Sequence, residues 1–197
     1  KIQKEMEGQS WIRLMFELGI QMKQEHGADK VFDLSLGNPI LEPPKSVIKR
    51  LQRILDDPAP GMHRYMPNAG FPETRAAIAA HLAKQMGLPF TAGHIVMTCG
   101  AGGALNVIFE SILDPGDEVI IFAPYFPEYP FYIENHGGET RIASTDASFQ
   151  LDIDALRPML TARTKAVLVN SPNNPSGAVY SAGLLQELGQ LIAEIEA

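Results

Sequence analysis

The first 26 residues alternate apolar and polar side chains at the spacing of an amphipathic helix. Apolar residues recur every three or four positions among Lys, Glu and Gln, at Ile2, Met6, Trp11, Leu14, Met15, Leu18 and Met22. The pattern predicts a helix that needs a partner surface and ends at Gly27. A short apolar run predicts a strand over 31–36, and helices are predicted over about 46–55 and 72–86.

From His94 onward, apolar runs of strand length alternate with segments of helical periodicity. Strands are predicted at 95–99, 118–123, 139–143 and 165–170, and helices near 102–113, 127–136, 153–160 and 181–196. Such an alternation predicts the α/β class, with a mostly parallel sheet and helices on both faces. Ligands of these sheets bind at the carboxyl ends of the strands. Three loops are expected at that edge: 100–103, 123–129 and 171–177.

The first of these loops is rich in glycine and opens a helix. Glycines let backbone N–H groups converge on a ligand, and a helix N-terminus favours an anion, so the loop predicts a phosphate site. A tight strand-to-helix turn without a ligand is the alternative. Two nucleotide motifs are excluded, because Leu105 stands where a dinucleotide fingerprint needs its third glycine and no lysine lies between Lys84 and Lys165.

The other two loops carry aromatic rings and side-chain amides. The loop after the second strand reads Ala-Pro-Tyr-Phe-Pro-Glu-Tyr-Pro, which suits either a hydrophobic plug or a ring that stacks on a planar heteroaromatic cofactor. The loop after the last strand reads Asn-Ser-Pro-Asn-Asn-Pro-Ser-Gly. It has more amides than a turn requires, and such amides can bind a phenolic oxygen or a carboxylate.

Composition narrows the class of partner. The chain has 197 residues, a net charge of −7 and scattered Lys and Arg residues, which argues against nucleic-acid binding. Cys99 is the single cysteine, so no internal disulfide and no thiolate metal site are expected. A lone cysteine also predicts a reducing, cytoplasmic location. No run approaches the 18 or so apolar residues of a membrane span.

Several motifs in a fixed order resemble the class I and II aminotransferases, the pyridoxal-phosphate-dependent family of fold type I. They are Leu36-Gly37-Asn38-Pro39, Tyr65-x-x-x-x-Gly70, Gly100-Ala101, Pro124-Tyr125-Phe126 and Asn170-x-Pro-x-Asn174-Pro175-Ser176-Gly177. The resemblance covers essentially the whole chain, and the Asn-Pro-Ser-Gly stretch is its most specific motif. It implies two parts: an N-terminal segment, 1–45, associated with a small domain, and 46–197, the first part of a large cofactor-binding domain.

The resemblance implies a site for pyridoxal 5′-phosphate. In that site, the backbone N–H groups of Ala101 and Gly102 hold the phosphate and Phe126 stacks on the pyridine ring. Asn174 donates a hydrogen bond to the 3-oxygen of the cofactor and contacts the substrate carboxylate.

Two further positions come from the same resemblance. Gly37 lines the substrate carboxylate by its backbone. Tyr65 matches a tyrosine that reaches the phosphate of the partner subunit in a homodimer, although a surface aromatic remains an equal alternative. The bonds Ala123–Pro124 and Asn174–Pro175 match peptide bonds that are cis in relatives.

The chain also departs from the family pattern. Relatives often place a hydroxyl residue and a longer polar residue where Gly102 and Gly103 stand, so we expect a weaker hold on the phosphate. None of the eight lysines stands in a Ser-x-x-Lys-like context after a strand in the right order along the chain. The Schiff-base lysine, the acid for the pyridine nitrogen and the carboxylate arginine are therefore expected beyond Ala197.

The expected reaction moves an amino group between an amino acid and a 2-oxo acid, and we expect the 197 residues alone to be inactive. Two alternatives remain open at this stage. One is another fold-type-I enzyme, such as a lyase or a decarboxylating synthase, and the other is a non-catalytic regulator module that binds the cofactor.

Overall fold

A computed structural model describes the backbone of residues 2–34, 37 and 41–196, with side chains over 14–34, 37 and 41–195. The chain divides between Arg64 and Tyr65 into two compact units. The domain assignment from sequence, 1–45 and 46–197, stays a prediction.

The first unit contains helices α1 (Ile2–His26) and α2 (Lys45–Asp56) and a short 3-10 turn at Ala28–Lys30. The predicted amphipathic helix is present, and its apolar residues with described side chains are all more than 40% exposed: Leu14, Met15, Leu18 and Met22. The predicted strand over 31–36 is not formed at 31–34, and Ser35 and Leu36 lie outside the described residues. Phe32 and Leu34 are about nine-tenths exposed, and no strand of the described residues pairs with this segment.

The second unit begins with α3 (Pro72–Met86). Proline suits the first helical position, and Gly87 ends the helix with a left-handed φ of 71° while its N–H bonds to the carbonyl of Ala83. Arg75 donates from this helix to the carbonyls of Ala92 and Ile95, at 2.6 and 2.7 Å. The guanidinium thereby fixes α3 to the segment that leads into the next helix.

A three-stranded parallel sheet forms the centre of the second unit. Its elements follow in the order α4 (Gly100–Ile112), β1 (Glu118–Ala123), α5 (Tyr129–Asn135), β2 (Glu139–Ser144), α6 (Ile153–Leu156), β3 (Thr164–Val167) and α7 (Ala182–Glu196). The strand order is β2-β1-β3, with β1 parallel to both neighbours. The predicted α/β class and parallel sheet are confirmed.

The central strand β1 is buried on both faces. Ile120 and Phe122 pack into one apolar cluster with residues of α6 and α7, while Val119 and Ile121 pack into another with residues of α4 and α5. Side chains of a strand alternate between faces, so one apolar run serves both clusters. Helices therefore cover both sides of the sheet, as the sequence predicts.

The predicted strand at 95–99 is wrong. The backbone there is extended, but no strand of the described residues pairs with it. Val96 is 58% exposed, and the N–H of Met97 bonds instead to the carbonyl of Ala69 at 3.0 Å. An apolar run forms a buried strand only where a neighbouring strand is available for hydrogen bonding.

No helix in the described part of the chain is both long and apolar enough to cross a membrane.

Candidate functional site

The N-terminus of α4 offers free backbone donors at the carboxyl edge of the sheet. Gly100 has a φ of 71°, a conformation that favours glycine. Cys99 at the N-cap makes no side-chain capping bond, and no acidic residue lies in the first turn. The first N–H groups of a helix have no partner inside the helix, so those of Ala101 and Gly102 are available to an anion.

The loop after β1 places one predicted ring at this edge. The Ala123–Pro124 peptide bond is cis, as the resemblance implies. The Phe126 ring is half-buried and meets the Tyr129 ring edge to face, with centroids 5.5 Å apart. Thr145 follows β2 and donates to the carbonyl of Ala123 at 2.8 Å, which fixes the start of the loop.

The loop after β3 carries two neighbouring asparagines with different surroundings. Asn173 is 8% exposed, and its amide nitrogen lies 2.9 Å from both the carbonyl of Pro124 and the hydroxyl of Ser176. Asn174 is exposed, and its side chain makes no hydrogen bond to any described residue. The buried amide ties this loop to the loop after β1, and the exposed amide is left for a ligand.

Both X-Pro bonds of this loop, Ser171–Pro172 and Asn174–Pro175, are cis. The resemblance implies the second of them. The first is an additional feature of this chain that we did not predict.

Tyr132 of α5 lies against the N-terminus of α4 and is missed by the sequence reasoning. A Cβ atom at Gly102 would lie 2.8 Å from the Tyr132 hydroxyl. The hydroxyl donates a very short hydrogen bond to the Glu128 carboxylate. That bond, with partial burial and the negative charge of Glu128, raises the pKa of Tyr132 to about 12, so the phenol remains a donor at neutral pH. The only signal in the sequence is a tyrosine four residues after a glutamate, the spacing of neighbours on a helix.

A second contact joins α5 to the first turns of α4. The amide of Asn106 donates to the carbonyl of Gly102 at 2.8 Å. The His136 ring lies 2.9 Å from the Asn106 side-chain oxygen and 2.7 Å from the Glu110 carboxylate. His136 thus connects the end of α5 to the middle and last turn of α4, and Asn106 links that contact to the first turn.

The two remaining predicted residues are solvent-exposed. Tyr65 is fully exposed. Gly37 is exposed, with nothing within 4 Å of a Cβ built on it, and its motif neighbours Leu36, Asn38 and Pro39 lie outside the described residues. Within the described parts of the chain, no group of three or more His, Cys, Asp or Glu residues could hold a metal ion.

One family profile matches most of the sequence. The profile of the family "Aminotransferase class I and II" matches residues 29–197. The aspartate/prephenate aminotransferase of Thermus thermophilus is 39% identical over 173 residues, which is 87% of this chain and 44% of that protein. This chain thus spans less than half the length of that relative.

Solved structures give the same assignment. An aminotransferase from Eubacterium rectale superposes with a TM-score of 0.89 at 38% identity, over 93% of this chain and 47% of that one. The alanine aminotransferase of Pyrococcus furiosus superposes with a TM-score of 0.83 at 31% identity, over 94% and 47%. Since profile, sequence and fold agree, the chain belongs to the class I and II aminotransferases, a family that depends on pyridoxal 5′-phosphate.

Proposed function

We propose that this chain forms the cofactor-binding part of an aminotransferase, which moves an amino group between an amino acid and a 2-oxo acid. One observation carries the proposal. The loop with Phe126 and the loop with Asn174 follow neighbouring parallel strands and are joined by the buried amide of Asn173, and Tyr132 of α5 lies against the uncapped start of α4.

The residues at this edge fit pyridoxal 5′-phosphate. Its phosphate is an anion, which suits the free N–H groups of Ala101 and Gly102 in a first turn without acidic side chains. Its pyridine ring is planar, which suits the half-buried Phe126. Its ring oxygen needs a donor, and Asn174 has a free one.

When bound, the cofactor supplies an electron sink for the electron pair released at the amino-acid Cα. The chain's own residues bind and orient it. The amides of α4 hold the phosphate, Phe126 covers one face of the ring, and Asn174 sets the ring orientation through its amide while also contacting the substrate carboxylate. The substrate-binding role of Gly37 stays a prediction from the family resemblance.

We propose a homodimer in which Tyr65 reaches the phosphate of the partner subunit. The support is its full exposure, which leaves the hydroxyl available to a second copy. A cytoplasmic location is supported by Cys99, a free and exposed thiol.

The substrate class is proposed from the relatives. Two relatives at 39% identity are named for aspartate and prephenate and a third for aspartate, so aspartate with 2-oxoglutarate is the first pair to assay. No lysine of this chain stands in the expected Schiff-base context, so the 197 residues alone should give no turnover above that of free cofactor. Turnover by the pure chain would contradict the assignment of the lysine to another segment.

The experiment for the binding role uses pyridoxamine 5′-phosphate, which needs no lysine to bind. Calorimetric titration of the chain should give saturable binding that inorganic phosphate competes away. A chain that is folded by circular dichroism but binds neither pyridoxamine 5′-phosphate nor pyridoxal 5′-phosphate would overturn the proposal.

A further inference from the structure

The position of Gly102 is shaped by a side chain from another helix. A Cβ built on Gly102 would lie 2.8 Å from the Tyr132 hydroxyl oxygen and 3.3 Å from the ring carbon that carries it. Real Cβ atoms do not come that close to other atoms. The φ of Gly102 is not in the left-handed region, so its backbone conformation does not require glycine. The hydroxyl of Tyr132 thus occupies the space that a side chain at position 102 would fill.

Glu128 holds this hydroxyl, and a separate set of contacts connects α4 to the end of α5. The carboxylate of Glu128 accepts the hydrogen bond of the hydroxyl. Immediately after α5, His136 contacts Asn106 of α4, and the Asn106 amide donates to the carbonyl of Gly102. The first turn of α4 and the tyrosine therefore keep a fixed relation.

We propose that the Tyr132 hydroxyl donates a hydrogen bond to the phosphate of the bound cofactor, in place of the hydroxyl side chain that Gly102 lacks. The inference rests on the proposed cofactor site. It also revises the expectation of a weak hold on the phosphate, because the missing donor is supplied from α5.

Phosphate binding changes the hydrogen-bond acceptor of the Tyr132 hydroxyl. Tyr132 has one hydroxyl proton, which it now donates to Glu128. When a phosphate binds, that proton turns to a phosphate oxygen and the Glu128 carboxylate, which is exposed, is solvated by water. A phenol with the ordinary tyrosine pKa of about 10 keeps its proton throughout the neutral range, so Tyr132 is a donor with either partner.

The test compares two ligands on the same chain by calorimetry. Pyridoxamine 5′-phosphate carries the phosphate and pyridoxamine does not. Tyr132→Phe should lower the affinity for pyridoxamine 5′-phosphate about tenfold, the effect of losing one hydrogen bond to a charged group. The affinity for pyridoxamine should not change. A structural role would instead weaken both ligands equally.

A second variant guards against a misfolded mutant. Gly102→Ser combined with Tyr132→Phe returns a hydroxyl to the start of α4 and removes the oxygen that would clash with it. This double variant should regain most of the lost affinity for pyridoxamine 5′-phosphate, and the bound ³¹P resonance should move back toward its wild-type position.

The outcomes separate the two proposals. Wild-type binding that is unchanged in Tyr132→Phe, or equal losses for both ligands without rescue by the serine, would overturn the role of Tyr132 and leave the cofactor site standing. A wild-type chain that binds pyridoxamine 5′-phosphate no better than pyridoxamine would overturn the phosphate site itself, and the tyrosine with it.

Discussion

Asn173 and Asn174 are adjacent in the chain but have different roles, one in joining loops and the other, as proposed, in binding the ligand. The amide of Asn173 is buried and bridges two loops through Pro124 and Ser176. The amide of Asn174 is exposed and makes no hydrogen bond within the described residues. A buried donor without a partner is costly, whereas an exposed one is solvated, so the two residues should respond oppositely to truncation.

We expect Asn173→Ala to lower the free energy of unfolding by about 1–3 kcal/mol, because it removes two buried hydrogen bonds and leaves the Pro124 carbonyl unpaired. Asn174→Ala should leave unfolding unchanged and weaken pyridoxamine 5′-phosphate. Chemical denaturation and calorimetric titration on both variants check this. Equal effects of the two substitutions on stability would refute the separation.

The sequence predicts Asn174 but neither Asn173 nor Tyr132. Asn174 sits in a motif whose order along the chain is visible. The carbonyl that Asn173 binds is 49 residues away, and the surface that Tyr132 contacts is on a different helix. Such pairings depend on which loops the sheet brings together, and local spacing does not encode that.

At the scale of elements, the amino end of β1 is fixed by a buried carboxylate. Glu118 is fully buried and accepts hydrogen bonds from Thr161 at 2.8 Å, Arg163 at 2.7 Å and Arg141 at 3.0 Å. The Thr161 hydrogen bond, with the two guanidinium charges, lowers the pKa of Glu118 against the opposing effect of burial. Thr161 and Arg163 precede β3 and Arg141 lies in β2, so one side chain connects all three strands.

Stability should therefore depend on pH through Glu118. Since its folded pKa is depressed, its contribution is present above the ordinary carboxyl value of about 4.3 and is lost as the pH falls through the folded pKa. The denaturant midpoint should therefore decrease as the pH is lowered from neutral through the folded pKa of Glu118. Glu118→Gln should be less stable at neutral pH and lose less on acidification.

Glu139→Gln is the matched control. Glu139 is exposed and lies 3.7 Å from the same Arg163, so its loss should change the midpoints little. If Glu118→Gln and wild type lost stability in parallel on acidification, Glu118 would not be the group responsible.

Elements with two covered faces are the ones that sequence predicts well. The β1 run is apolar on both faces and is found within the predicted bounds, 118–123. The predicted strand at 95–99 fails because strand formation needs a hydrogen-bonding neighbour, which an apolar run does not reveal. The last strand is shorter than predicted, Thr164–Val167, although the N–H of Leu168 still bonds to the carbonyl of Ile120 at 2.8 Å.

At the scale of the whole molecule, we expect each cofactor site to be built from residues of two copies of the chain. Tyr65→Phe and Asn174→Ala should each weaken pyridoxamine 5′-phosphate in their own homodimers. Mixing them should restore one tight site per mixed dimer, because that site takes Tyr65 from one chain and Asn174 from the other. Titration of the mixture, after mass spectrometry has verified subunit exchange, measures the recovered sites.

If the mixed dimers bind pyridoxamine 5′-phosphate no better than the two parent homodimers, Tyr65 does not belong to the site. Tyr65 would then be an ordinary exposed aromatic, and the family motif around Gly70 would concern the turn alone.

We expect the start of α4 to hold the cofactor phosphate, and backbone amide resonances report on that contact residue by residue. Adding pyridoxamine 5′-phosphate to ¹⁵N-labelled chain should shift the amides of Ala101 and Gly102 more than those around Glu118 at the opposite edge of the sheet. Pyridoxamine without the phosphate should move the two α4 amides much less. Saturable binding that leaves the Ala101 and Gly102 amides in place would contradict the account.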